Sequence, residues 1–170
     1  RDELLKKEFH ANAKVEIALA RGFWLGWLFG MAWLAGTFWW LYTSMHTYGG
    51  LAAPLAVLAV LALSAFLALY CGAACAVFLM LFNPQVGANR FWRALVFAAL
   101  WTLAELARGT WFTGFPWGAG GYAHVSGPFA GYAPWLGVYG LGMLAALLAA
   151  ALALLLPRAQ GRDLPTGWLA

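Results

Sequence analysis

Glu105 and Arg108 are the residues with the clearest capacity for chemistry, because no other acidic residue, lysine or arginine occurs between positions 94 and 157. Three positions apart, they share one helix face, and an intrahelical ion pair is sterically available. A charge at the centre of a bilayer costs about 2.5–3.5 kcal/mol, and ionisable residues kept there generally serve a function. Two interpretations stay open: the pair lines a cavity and orients a lipid headgroup or a loop, or it only fixes helix packing.

Other reactive side chains do not assemble into an active site. Ser44 and His46 are two residues apart, but no carboxylate follows to orient a triad. Cys71 and Cys75 lie one helical turn apart in an apolar run without further ligands nearby, which is typical of small packing residues. His124 stands alone in a loop. We therefore predict no catalytic residue, no metal site and no cofactor in this chain.

The elements that must hold Glu105 and Arg108 are membrane-spanning helices. Of the 170 residues, 64% are hydrophobic and 9% are charged, whereas soluble domains contain roughly 25% charged residues. A helix needs about 20 mainly apolar residues to cross a bilayer. Four segments qualify, which predicts an all-α polytopic transmembrane bundle: residues 22–42, 54–82, 91–112 and 135–156.

Basic residues at the ends of these segments predict their orientation, because cytoplasmic flanks are enriched in Lys and Arg. With four spans, the five arginines at positions 21, 90, 93, 158 and 162 all fall on one side. Both termini are therefore predicted to be cytoplasmic, and the glycine- and aromatic-rich loop 113–134 is predicted to be external. The net charge of +4 reflects this topology, so no nucleic-acid partner is expected.

The chain is predicted to divide at about residue 20. Residues 1–20 are charged throughout and indicate a polar helical segment, whereas residues 21–170 form the transmembrane domain. In the first predicted span, Gly22, Gly26 and Gly30 recur every four residues. This spacing predicts a smooth strip along which another helix approaches closely.

Several stretches of the sequence resemble the apolipoprotein N-acyltransferase family. The most specific feature is the order of Glu105, Arg108 and Gly109, followed by the run Thr-Gly-Phe-Pro-Trp that ends at Trp117. The supporting stretches are residues 22–30, 40–44, 48–50 and 121–122. The resemblance covers the chain from about residue 21 to its C-terminus.

The resemblance implies an enzyme of the bacterial inner membrane with eight spans and an external nitrilase-like domain that carries a Glu-Lys-Cys triad. In the implied reaction, the cysteine takes an acyl chain from a membrane phospholipid, typically phosphatidylethanolamine. The acyl group then passes to the N-terminal diacylglyceryl-cysteine of a lipoprotein, which is covalent catalysis in two half-reactions. This chain resembles only the third to sixth of those spans.

The chain departs from the family pattern at both ends. The family's first two spans should precede residue 21, yet residues 1–20 are polar; foreign sequence, a misjoined reading frame and genuine divergence are all compatible with this. The 170 residues do not include the nitrilase-like domain. We therefore expect the intact protein to be an acyltransferase and this chain alone to be inactive, serving as membrane anchor and lipid-access cavity.

Such a cavity must receive acyl chains sideways from the bilayer near the outer ends of the spans. The sequence places five residues at its predicted rim: Glu105, Arg108, Phe115, Trp117 and Tyr122. The alternative is a non-enzymatic membrane scaffold or anchor for a partner enzyme, in which the glycine strip and the aromatic loop serve assembly only. A small transporter is disfavoured because the midplane is apolar apart from Glu105.

Overall fold

A computed structural model describes residues 2–82 and 89–156, and the regular elements in these two ranges are all helical, as predicted. The long loop between the last two helices contains short 3₁₀ turns, at Trp111–Thr113, Gly120–His124 and Ala130–Tyr132. The five α-helices are α1 (Asp2–Thr37), α2 (Trp39–Thr43), α3 (Ala53–Leu81), α4 (Arg90–Thr110) and α5 (Ala133–Leu155).

The first helix is longer than its predicted span. It begins at Asp2, so the polar N-terminal residues and the first apolar segment form one continuous helix. At Phe38 the backbone departs from helical geometry, with φ −91° and ψ 14°, and α2 resumes at the next residue. A π-helical turn, Ser44–Tyr48, then ends the helical run.

The other three helices lie close to their predicted ranges. Pro54 occupies the first turn of α3, and Pro134 that of α5, positions at which a missing backbone N–H costs nothing. Asn89 caps α4 by accepting a hydrogen bond of 3.0 Å from the backbone N–H of Phe91. Inside α5, Gly137 has φ 63° and ψ −175°, which interrupts the helix after its first turn.

Three helices of the described residues are long and apolar enough to span a membrane: Val15–Thr37, Ala53–Leu81 and Ala130–Leu155. The helix α4 forms where a fourth span was predicted, but it contains Arg90, Arg93, Glu105 and Arg108 and is less apolar than the others. The structure therefore establishes a helical protein with three candidate spans.

The long helices stand in an antiparallel row. Gly22 lies next to Leu79 and Gly30 next to Cys71, so α1 and α3 run in opposite directions. The ring centroids of Phe78 and Phe97 are 5.4 Å apart, which sets α4 beside α3. The last helix, α5, packs on α4. The order across the bundle is therefore α1, α3, α4, α5.

The predicted glycine strip is confirmed as the contact between α1 and α3. A Cβ added at Gly26 would lie 2.7 Å from Sγ of Cys75 and 2.8 Å from the backbone oxygen of Cys71. At Gly30 it would lie 2.9 Å from Cβ of Cys71. Both cysteines are free thiols, and their small side chains fill the seam left by the missing glycine side chains.

The buried core lies in the half of the bundle opposite Arg21. It joins Leu34 and Phe38 to Val60 and Leu67 of α3. The loop after α4 takes part in this core, because Phe115 packs against it. The antiparallel row gathers Arg21, Arg90 and Arg93 at the other end, where the guanidinium of Arg93 lies 5.8 Å from the ring centroid of Phe82.

Candidate functional site

The polar centre of the molecule lies in the last two turns of α4. Glu105 is 7% exposed and Arg108 is 3% exposed, which makes them the two buried charged residues of the described chain. They share a helix face, as their spacing predicts. They do not form the ion pair that this spacing makes available, because each side chain is directed to the backbone of the following loop.

Arg108 binds two carbonyl groups of the loop. Its Nη1 donates a hydrogen bond of 2.9 Å to the carbonyl oxygen of Phe115 and one of 2.6 Å to that of Trp117. The backbone N–H of Phe115 donates in turn to the carbonyl oxygen of Arg108, at 2.8 Å. Hydrogen bonds from a charged donor are about twice as strong as neutral ones, so Arg108 ties the loop firmly to α4.

Glu105 makes the corresponding contact further along the loop. Its Oε1 accepts a hydrogen bond of 2.9 Å from the backbone N–H of Gly120. Its Oε2 is buried and has no hydrogen-bond partner. A Cβ at Gly120 would lie 3.2 Å from Oε1, and one at Gly142 would lie 3.2 Å from Oε2. The carboxylate therefore fits at a junction of α4, the loop and α5 at which a glycine on each side leaves room for it.

The loop reaches this junction through unusual backbone conformations. Phe112 has φ 53°, and Gly114 and Gly118 have φ 75° and 78°. Glycine adopts such angles without strain, whereas a left-handed conformation costs about 1–2 kcal/mol at Phe112. The indole Nε1 of Trp33 donates a hydrogen bond of 3.1 Å to the carbonyl oxygen of Gly118. The loop is thus bound by α1 as well as by α4.

The three aromatic residues predicted at the cavity rim occupy different environments. The ring of Phe115 meets that of Phe38 edge to face, with centroids 5.0 Å apart, and is part of the core packing. Trp117 is 55% exposed, and its ring centroid lies 5.2 Å from that of Phe115. Tyr122 is equally exposed, in the 3₁₀ turn that begins at Gly120.

A cleft of about 540 Å³ opens between α1 and α5, with α4 at its base. Glu105 is the predicted site residue that lines it; Arg108, Phe115, Trp117 and Tyr122 do not. The cleft is polar at one end and apolar along the rest of its length. Its polar end is formed by Glu105, Gly120 and His124, and its apolar walls include Leu25, Phe29, Phe97, Ala146 and Ala149.

The sequence did not predict several of the residues that line the cleft. Trp33 is one of them, and its indole binds the loop. The small residues Gly142, Ala146 and Ala149 form one wall of the cleft. Their spacing of four and three places them on one helix face, a signal that was present in the last span but hidden by its uniformly small and apolar composition.

The arrangement is suited to binding and positioning. The guanidinium of Arg108 and one carboxylate oxygen of Glu105 are engaged by backbone groups. The thiols of Cys71 and Cys75 pack against glycines of α1. What the described residues provide is an apolar cleft, closed at its polar end by a loop whose backbone is fixed from two helices.

Residues 10–151 match the family model described as the apolipoprotein N-acyltransferase N-terminal domain. The match includes the second half of the polar segment, residues 10–20, which lies before the point at which the sequence resemblance begins. Glu105, Arg108, the loop and nearly all of α5 also lie inside the matched range.

Several relatives named apolipoprotein N-acyltransferase are similar over most of this chain. The protein of Verminephrobacter eiseniae is 53% identical over 77% of the chain and 21% of its own length. That of Bordetella bronchiseptica is 51% identical over 85% of the chain and 27% of its own length. That of Ralstonia nicotianae is 47% identical over 74% and 24%. The chain thus spans about a quarter of the length of these relatives.

Proposed function

This chain belongs to the apolipoprotein N-acyltransferase family, and we propose that it forms the membrane-embedded part of an enzyme that acylates lipoproteins. The intact enzyme moves an acyl chain from a membrane phospholipid to the N-terminal diacylglyceryl-cysteine of a lipoprotein. The name shared by the relatives supports this reaction. The three apolar helices support a location in a membrane, and the proposed membrane is the inner membrane of a bacterium, since the relatives are bacterial.

The proposed topology has four spans with both termini in the cytoplasm. The antiparallel row supports it, because Arg21, Arg90 and Arg93 meet at one end, as the preference of basic residues for the cytoplasm requires. The 21 residues of α4 extend about 30 Å at 1.5 Å per residue, which matches a bilayer core. The charged groups of Glu105 and Arg108 are bound by backbone groups of the loop.

The cleft is the observation that carries the proposed function. It opens between α1 and α5, so that an acyl chain can enter sideways from the bilayer and lie along its apolar walls. Its polar end lies beneath the loop, at the membrane face where an external catalytic domain meets the lipid. Glu105 lines this end, and Trp117 lies exposed on the loop above it.

The chemistry of acyl transfer then comes from outside this chain. The thiols of Cys71 and Cys75 pack against glycines of α1, and Glu105 and Arg108 are bound to the loop. The chain supplies anchoring and lipid access, and by itself it should not transfer acyl groups. The polar N-terminal residues extend α1 beyond the bilayer on the cytoplasmic side.

Filling the cleft tests this proposal. In the full-length acyltransferase that carries this segment, Ala146→Phe puts an aromatic ring into the cleft, whereas Ala153→Phe adds the same volume to an exposed position of α5 outside it. We expect Ala146→Phe to lower kcat/KM for the phospholipid at least about tenfold, a barrier change of about 1.4 kcal/mol, and Ala153→Phe to leave it within about twofold. Equal rates for the two variants would favour the scaffold function instead.

A further inference from the structure

We propose that Arg108 and Glu105 act as positioning residues that clamp the loop segment 115–120 to α4 and thereby fix the place of Trp117. The clamp is inferred from contacts within this chain alone. Its importance for acyl transfer rests on the proposed function above. Of the two interpretations of the sequence, the inference takes up the orienting of a loop and makes it specific, because both side chains bind backbone groups of the loop and not each other.

Arg108 provides the stronger half of the clamp. One of its guanidinium nitrogens binds the carbonyl oxygens of Phe115 and Trp117 together, at 2.9 and 2.6 Å. These oxygens are two residues apart, so a single cation sets the path of the chain on both sides of Pro116. At 3% exposure Arg108 does not line the cleft. It is therefore not placed to touch a lipid directly.

Glu105 provides the second point, one helical turn earlier on the same face of α4. Its contact is to the backbone N–H of Gly120, at 2.9 Å. Because an amide oxygen also accepts such a bond, this contact needs an oxygen at Oε1 but not a negative charge. Gly120 and Gly142 leave little room around the carboxylate, since a Cβ at either position would come within 3.2 Å of it. The side chain is thereby held in one position.

The loop needs this restraint because its backbone is not stabilised by regular structure. Phe112, Gly114 and Gly118 have positive φ angles, and residues 114–119, between the two 3₁₀ turns, belong to no helix. The indole of Trp33 adds a third and more exposed tie, to the carbonyl oxygen of Gly118. Removing a clamp residue should release this loop while the packing of α1 against α3 stays intact.

The first experiment measures amide hydrogen exchange of this chain in phospholipid nanodiscs. Arg108→Met removes both bonds to the carbonyls, and Glu105→Leu removes the acceptor for Gly120. We expect exchange of the amides of Phe115 and Gly120 to rise at least about tenfold, since each variant breaks a buried charge-assisted bond. Exchange of the α1 and α3 amides should not change. Thr102→Val, which removes only a hydrogen bond inside α4, is the matched control.

Glu105→Gln distinguishes the clamp from a charged ligand site. The glutamine oxygen still accepts from Gly120, so exchange of the loop amides should stay within about threefold of the parental values. If the charge itself bound a cationic headgroup, this variant would raise KM for the phospholipid as much as Glu105→Leu does, and the clamp would be refuted. Trp33→Phe, which removes a bond from a partly exposed indole, serves as a milder test if Arg108→Met does not fold.

The second experiment measures acyl transfer by the same variants of the full-length enzyme. The clamp predicts that Arg108→Met lowers kcat at least about tenfold with less than about threefold change in KM for the phospholipid, because Trp117 is displaced while the cleft remains. Unchanged loop exchange in Arg108→Met and Glu105→Leu would overturn the clamp whatever the activity. Increased exchange with parental kcat would retain the clamp but refute a role for this loop in the proposed reaction.

Discussion

Burying an arginine or a glutamate in a membrane costs free energy. The contacts that Arg108 and Glu105 make in this chain explain their spacing. Arg108 lies in the last turn of α4, where the helix dipole favours a positive charge. Its guanidinium is solvated by carbonyl oxygens of the loop. Glu105 accepts a backbone N–H. Part of the cost of burying these charges is thus offset by groups that the loop would otherwise leave unpaired.

At the scale of single residues, the sequence identifies Glu105 and Arg108 as important but does not predict the groups that they contact. The shared face of Glu105 and Arg108 follows from helix periodicity alone. Their partners do not, because the carbonyl oxygens of Phe115 and Trp117 are reached only through a turn with positive φ at Phe112 and Gly114. No periodic signal specifies such a turn, and an ion pair is the simpler expectation in its absence.

Gly114 gives a direct test of the turn. It has φ 75°, and a Cβ at this position would collide with the carbonyl oxygen of Gly109. Gly114→Ala should therefore lower the stability of the chain by at least about 2 kcal/mol, from the left-handed strain and the collision together. Thermal unfolding in detergent micelles would measure this change.

Gly131→Ala is the matched control in the same loop, because a Cβ there meets nothing within 4 Å and φ is not positive. It should change stability by less than about 0.5 kcal/mol, as is usual for surface positions. Equal effects of Gly114→Ala and Gly131→Ala would show that the turn does not require its left-handed glycine.

The helices themselves are well specified by composition. Apolar length places α3, α4 and α5 within a few residues of their observed ends. The prediction is weaker where the helical run is broken without a change in composition. Phe38 interrupts the first helical run, and Gly137 interrupts α5, yet both lie inside apolar segments. Hydropathy cannot detect such breaks, because it reports burial in lipid and not backbone geometry.

The seam between α1 and α3 is the element-scale feature that the sequence predicts most completely. Gly26→Ala should destabilise the chain by about 1–3 kcal/mol, because its Cβ would lie 2.8 Å from the backbone oxygen of Cys71, which cannot rotate away. The helix propensity gained by alanine offsets less than about 1 kcal/mol of this. Unfolding in mixed SDS micelles, followed by circular dichroism, would measure it.

Gly36→Ala in the same helix supplies the comparison. A Cβ there meets nothing within 4 Å, so the variant should be as stable as the parent or up to about 1 kcal/mol more stable. A Gly26→Ala variant as stable as Gly36→Ala would mean that α1 and α3 do not need glycine to approach. The close seam would then be a consequence of other contacts, such as the bond from Nε1 of Trp27 to the carbonyl oxygen of Ala65.

Over the whole molecule, an open row of helices explains how a cleft can exist without a closed bundle. The row places α1 and α5 at its two ends, and the space between them is bounded by α4 and the loop. The chain spans only about a quarter of the length of its relatives. The side of the cleft that faces away from α4 is therefore where lipid, or further parts of such a protein, would meet it.

The proposed topology can be tested with single cysteines introduced into a Cys71→Ala/Cys75→Ala background. Tyr48→Cys and Tyr132→Cys are exposed positions at the end of the row proposed to face outwards, and Asn89→Cys lies at the opposite end. A membrane-impermeant maleimide added to intact bacterial cells should label the first two and not the third. Labelling of Asn89→Cys should appear only after the membrane is permeabilised.

Tyr132→Cys decides the number of spans, because Asn89 and Tyr132 flank α4. If α4 crosses the bilayer, its two ends react on opposite sides; if it does not, both cysteines react on the same side, and the four-span topology is wrong. Labelling of Asn89→Cys in intact cells, with protection of Tyr48→Cys, would reverse the orientation. In that case the polar end of the cleft would face the cytoplasm, away from any external catalytic domain, and the proposed route for the acyl chain would fail with it.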